Sequence, residues 1–219
     1  MGWNLGIEFV EKKKTAPCKR PYSLGKRLES SDRKRSGILA AARAQLESNG
    51  FLSFTLEGLA LNSGVTRQTI HNLFGTKAGV VEALFDQLAL DGGLERMRSV
   101  MQQTNPASML AGFVEIFTGF WIRDRLLIRR IHGIAAIDPE FGAVLEARNR
   151  RRLGAAARVV QMLDRDGGGR DGGRQNGAQR SATLYALTSF EFFEVLAEGC
   201  GGVEEGARLL FAIVEKALS

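Results

Sequence analysis

Six neighbouring residues, Thr66, Arg67, Gln68, Thr69, His71 and Asn72, form an almost unbroken run of hydrogen-bonding side chains with no acid among them. Their chemistry suits base-pair edges: an arginine fork meets guanine O6 and N7, and a glutamine or asparagine amide meets adenine N6 and N7. A merely solvated helix more often mixes Glu with Lys. Other reactive types are sparse. Cys18 and Cys200 show no C-x2-C spacing and read as free thiols of a reducing cytosol. His71 and His132 lack a Cys or carboxylate at metal-ligand spacing, and there is no G-x-S-x-G elbow. No catalytic residue, metal ligand or cofactor is expected, and the pair Glu204-Glu205 suits a helix first turn. Residues 167–172 read G-G-G-R-D-G, but no strand precedes them and no βαβ unit surrounds them, which argues against a dinucleotide site.

A short polar helix needs a scaffold to present it. Ile38, Leu39, Ala42 and Leu46 predict a helix over roughly 32–48, stopped by Asn49-Gly50. Thr55 opens a short segment in which Leu56, Leu59 and Ala60 share a face before Asn62-Ser63-Gly64 ends it. Thr66 caps a second short helix to Asn72. Ala60 is small where two helices cross, Gly64 sits where a turn favours positive φ, and Ile70 closes an apolar wedge with Leu59, Val65 and Leu73. This is helix-turn-helix spacing, although a plain helical hairpin in a bundle shares its Ala and Gly preferences. Thr76 caps a fourth helix, striped by Val80, Val81, Leu84, Phe85 and Leu88 as far as Asp91-Gly92-Gly93. Further helices are predicted near 94–103, 107–122, 124–136, 139–164, 180–199 and 203–218, and Asp166 to Gly177, with six glycines, as a flexible surface loop. No run alternates for long enough to make a sheet. The fold class is all-α: an N-terminal three-helix helix-turn-helix domain and a C-terminal helical bundle.

The 219 residues, 44% hydrophobic and 25% charged, have the composition of an ordinary globular protein. The net charge of +6 is carried entirely by residues 1–35, through Lys12, Lys13, Lys14, Lys19, Arg20, Lys26, Arg27, Arg33, Lys34 and Arg35 against four acids; the remainder is neutral. A basic arm on a neutral body points to a polyanion. Residues 1–30 read as that arm, disordered, followed by a DNA-binding domain over 31–78 and a ligand-binding and dimerisation domain over 79–219. Arg33, Lys34 and Arg35 precede a helix start, where cations oppose the dipole, so minor-groove or phosphate contact explains them better. No segment has the roughly 18 apolar residues of a membrane span, so a cytoplasmic protein without a membrane partner is expected.

Residues 35 to 85 resemble the DNA-binding domain of TetR-family transcriptional regulators, through R-K-R-S-G-I-L-A-A-A, the following N-G-F, and T-L-E-G-L-A-L-N-S-G-V-T-R-Q-T-I-H-N-L-F-G-T-K-A-G-V-V-E-A-L-F. The resemblance implies phosphate contacts for Thr55 and Lys77 and base-edge positions for Thr66, Arg67, Gln68 and Thr69. His71, where that family commonly has a tyrosine, and Asn72 depart from its pattern. It also implies a dimer, because paired recognition helices must stand about one DNA turn apart. Tyr185, Thr188, Phe192 and Val195, with Phe211 and Val214, are the expected interface, against the alternative of an intrachain core. The resemblance further places an inducer site in the C-terminal half.

In that half, Phe113, Phe117 and Trp121 recur every four residues. With Ile128, His132 and Phe190 they are candidate walls of a pocket for a small, largely apolar ligand, although core packing accounts for such side chains equally well. The function expected is ligand-responsive repression at a palindromic operator. An activator, or a helical ligand carrier or small enzyme whose N-terminal helices only pack, are the rival readings.

Overall fold

In the computed structural model, described for residues 24–49, 54–166 and 173–218, the chain is a succession of helices. They are α1 (Leu24–Asn49), α2 (Leu56–Ser63), α3 (Arg67–Phe74), α4 (Lys77–Asp91), a 3-10 turn (Leu94–Arg96), α5 (Met97–Val100), α6 (Pro106–Arg123), α7 (Arg125–Ala135), α8 (Pro139–Asp166), α9 (Gly173–Leu187), α10 (Phe190–Gly199) and α11 (Val203–Leu218). Short polar caps define most starts: Asn105 accepts from the Ser108 amide at 2.9 Å ahead of Pro106, and Ser189 accepts from that of Phe192 at 3.2 Å. Each satisfies one of the amides that a first helical turn leaves without a partner.

Helices α1 to α4 pack around Ile38, Leu46, Leu59, Ile70 and Leu84, all essentially inaccessible. This group is continuous with the body, because one buried cluster runs from Ile38 to Leu218. Two polar links reinforce the joint. Arg43 of α1 reaches the buried Asp124, between α6 and α7, at 2.6 Å, and Arg130 of α7 donates to the Leu46 carbonyl. In the body, α8 packs along α9 and against α6 and α7, α10 pairs with α11, and Arg125 and Arg129 of α7 grip Glu194 of α10.

The structure corrects the sequence reading in four places. Helix α1 begins at Leu24, inside the expected arm, because Leu24-Gly-Lys-Arg-Leu-Glu-Ser holds mainly good helix formers that no apolar stripe had marked. Residues 1–23, including Cys18, lie outside the described residues. Helix α9 resumes at Gly173, within the expected loop, where packing on α8 overrides glycine's poor propensity. The expected helix over 180–199 is two, broken at Thr188-Ser189 by the Ser189 cap. The expected helix over 94–103 is a 3-10 turn followed by one short helix, after Gly93 at φ +74°.

Candidate nucleic-acid interface

Three N-caps and two turns set the angle of α3. Thr55 accepts from the Gly58 amide at 3.1 Å, Thr66 from that of Thr69 at 3.2 Å and Thr76 from that of Gly79 at 3.1 Å. Between α2 and α3, Gly64 takes the left-handed conformation at φ +66°, and the Val65 amide returns to the Ala60 carbonyl at 3.1 Å. The close approaches fall at two glycines absent from the sequence reading. A Cβ on Gly58 would lie 2.5 Å from Gln45 Nε2, and one on Gly79 would lie 2.0 Å from the Phe74 carbonyl oxygen. Neither position had a local signal, since both approaches are made by other helices or by the end of one.

With Ile70 buried beneath it, α3 turns Arg67, Gln68, His71 and Asn72 to solvent, with Thr66 exposed at its start and Thr69 half-buried. Gln68 donates to Asn72 at 2.8 Å, which couples the two amides along the helix. Arg67 pairs with Glu57 of α2 at 2.6 Å; the side chains are 64% and 62% exposed. Such a surface pair contributes only about 0–1 kcal/mol, so it orders the guanidinium without tying it down. Lys77 sits at the α4 start with its ammonium 5.8 Å from the Phe54 ring centre and 5.5 Å from that of Phe141. Arg35 lies 4.8 Å over the Phe74 ring, which fastens α1 to the end of α3. Arg33 and Lys34 are exposed on α1, and Thr55 is exposed ahead of α2.

The residues expected to bind ligand separate. Phe113, Ile128 and Phe190 belong to the packed core. Phe117 and Trp121 line a cavity of about 290 Å³ between α4, α6 and α8, with Phe85, Phe120, Arg148 and Arg152. His132 instead faces a shallower hollow of about 410 Å³ bordered by Leu145, Tyr185 and Glu191. His132 Nδ1 lies 2.7 Å from Glu191 Oε1, and that hydrogen bond holds the Glu191 carboxyl at about 2, against a partial burial that acts the other way. A carboxyl held below its ordinary 4.5 stabilises the fold above that value, and the contribution is lost as pH falls towards 2. Glu191→Gln is therefore expected to lower the thermal midpoint at pH 6, by a margin that closes as the pH approaches 2. A margin independent of pH would contradict this account.

Of the residues expected at the dimer interface, Thr188 and Val214 are corrected to intrachain core, with 1% and 0% exposure. The break before α10 turns Thr188 inward, where its carbonyl accepts from Trp121 Nε1 at 3.1 Å and its hydroxyl from Arg152 at 3.3 Å. Phe192 and Phe211 are half-buried, Tyr185 lies over the Arg152 guanidinium at 4.0 Å, and Val195 stands 69% exposed.

A capped, acid-free helix held outward on a three-helix support and joined to a helical body defines a helix-turn-helix DNA-binding protein. Residues 38–84, from α1 to α4, match the family described as bacterial regulatory proteins, tetR family. The HTH-type transcriptional regulator AlkX of Mycobacterium tuberculosis is 29% identical over 127 residues, 56% of this chain and 57% of AlkX, so the match spans just over half of that relative. Two solved structures share the fold. A TetR transcription regulator from Haloarcula marismortui has a TM-score of 0.65 at 14% identity, over 85% of this chain and 97% of its own. NalD, the secondary repressor of the MexAB-OprM multidrug efflux pump in Pseudomonas aeruginosa, also reaches 0.65, at 22% identity over 86% and 97%. No described helix is long and apolar enough to cross a membrane.

Proposed function

We propose that the protein is a cytoplasmic, ligand-responsive repressor that binds a palindromic operator as a homodimer, with 31–78 reading DNA and 79–219 holding ligand and partner. The observation that carries this reading is the path of α4: it starts at Lys77, directly after the recognition helix, and its residues Phe85, Asp86 and Ala89 form one wall of the aromatic cavity. A ligand that fills the cavity best when α4 has moved favours a dimer whose recognition helices no longer match the operator spacing. The size of the response is set by the ligand's difference in affinity for the two states.

Thr66, Arg67, Gln68 and Thr69, with Asn72, face base edges in this reading. Thr55, His71 and Lys77, with Arg33, Lys34 and Arg35, hold phosphates. The dimer forms over α10 and α11 through Phe192, Phe211 and the exposed Val195, together with Tyr185 of α9. Mobility-shift titration of the purified protein on DNA upstream of its own gene tests the assignment. Arg67→Ala is expected to cost about 1–3 kcal/mol and to relax specificity, whereas Lys77→Ala weakens binding to all sequences and flattens the salt dependence. Unchanged affinity in both variants would remove the DNA-binding reading.

A further inference from the structure

We propose that the cavity between α4, α6 and α8 takes a small monocarboxylate with an apolar body, its carboxylate drawn to Arg152; the inference rests on the regulator reading and specifies its ligand. Arg152 is 7% exposed, yet among the described residues no carboxylate lies within 4 Å of it. Its Nη1 donates to the Tyr185 carbonyl at 2.7 Å and to Thr188, while its Nε is buried with no acceptor. The guanidinium packs between the rings of Tyr185 and Phe117, at 4.0 and 5.8 Å. Hydrogen bonds to a carbonyl and a hydroxyl serve a latch between α8 and the end of α9, and the carboxylate that acts on this charge, Glu191, is beyond ion-pair distance and already bonded to His132. A buried cation in that condition is costly and strongly attracts an anion.

The neighbouring groups favour the same ligand. Arg148, one turn earlier on α8, lines the cavity, and its Nε too is buried without an acceptor. Its Nη2 is held by Asp86 at 2.8 Å and by the Glu82 carbonyl at 2.9 Å, both on α4. Arg151 stands on the same lining, so three arginines face the single acid Asp86 there. Apart from Asn149 the remaining walls, Phe85, Leu94, Met97, Phe117, Phe120 and Trp121 among them, are apolar. A cavity of about 290 Å³ lies at the lower end of the range for small-molecule sites, which suits a compact ligand. A carboxylate near Arg148 also competes with Asp86 for the fork that clamps α4, so the charge recognised is the charge that loosens the helix leading to the DNA-reading surface.

Isothermal titration of the full-length protein with octanoate, 1-octanol and octylamine, and with 4-phenylbutanoate and its alcohol, tests the proposal. At least one carboxylate is expected to bind ten-fold or more tightly than its alcohol, with octylamine weakest. Equal or tighter binding of the alcohols, or no saturable binding of either carboxylate at millimolar concentration, overturns it. Arg152→Gln is expected to remove the preference for carboxylate while leaving alcohol binding in place; if that variant does not fold, the ranking by the wild-type protein decides. Mobility shifts on the upstream DNA keep the two ideas apart. Carboxylate preference without selective DNA binding supports the cavity assignment and removes the regulator reading, and selective DNA binding without carboxylate preference does the reverse.

Discussion

Replacing Gly79 with alanine is expected to destabilise the DNA-binding helices by about 2 kcal/mol and to abolish selective DNA binding. Two effects of opposite sign compete. Gly79 lies in the first turn of α4, and alanine gains up to about 1 kcal/mol over glycine in a helix. Against that, the new Cβ would stand 2.0 Å from the Phe74 carbonyl oxygen, a backbone atom that moves only if the α3–α4 connection moves. Overpacking of this kind costs typically about 1–3 kcal/mol and occasionally more, so the steric term wins. Gly154→Ala is the control, because nothing lies within 4 Å of its added Cβ on α8. It is expected to stabilise by about 0.5–1 kcal/mol in urea denaturation. Equal shifts in the two variants would show that the close approach at Gly79 is not real.

Arg43→Ala has the second large effect, about 2 kcal/mol of lost stability. Asp124 is 4% exposed, with Oδ1 on Arg43 and Oδ2 buried without a hydrogen bond. Removing the arginine leaves this carboxylate only the long contact of Arg123 Nε to Oδ2, at 3.8 Å, and breaking a buried pair from one side costs about 3–5 kcal/mol. The loss here is smaller because the Arg43 side chain is 40% exposed and water replaces part of the contact. The double variant Arg43→Ala with Asp124→Asn is expected to recover most of the loss, since an amide needs no counter-ion. Chemical denaturation of the four proteins of this cycle decides it, and purely additive losses would sink the explanation. The pair joins α1 to the α6–α7 junction, so Arg43→Ala is also expected to weaken any effect of ligand on DNA affinity.

The helix-turn-helix was legible because its determinants are local: Gly64, Ile70 and the caps Thr55, Thr66 and Thr76 lie within about twenty residues and each has one physical reason to be there. The body helices were legible as periods, so α6, α7, α8 and α11 fall within a few residues of expectation. What escaped depends on distant partners. The apolar face from Tyr185 to Val195 keeps its period across Thr188-Ser189, while the break comes from a cap and from the Trp121 indole, 67 residues away in the chain. Gly79 had only an ordinary helical context. Arg148 and Arg152 carried no signal of their own, because nothing in R-N-R-R-R shows which arginines turn towards Phe85, Phe117 and Tyr185.

The buried cluster that runs unbroken from Ile38 to Leu218 bears on how genetics with this protein is to be interpreted. Where the DNA-reading helices and the body melt as one unit, a selection for loss of the proposed regulatory activity recovers substitutions throughout α6 to α11 as readily as in α3. Most of those mutants would report a reduced supply of folded protein and not a damaged contact. Only alleles that keep wild-type abundance in the cell then map the surface that touches DNA.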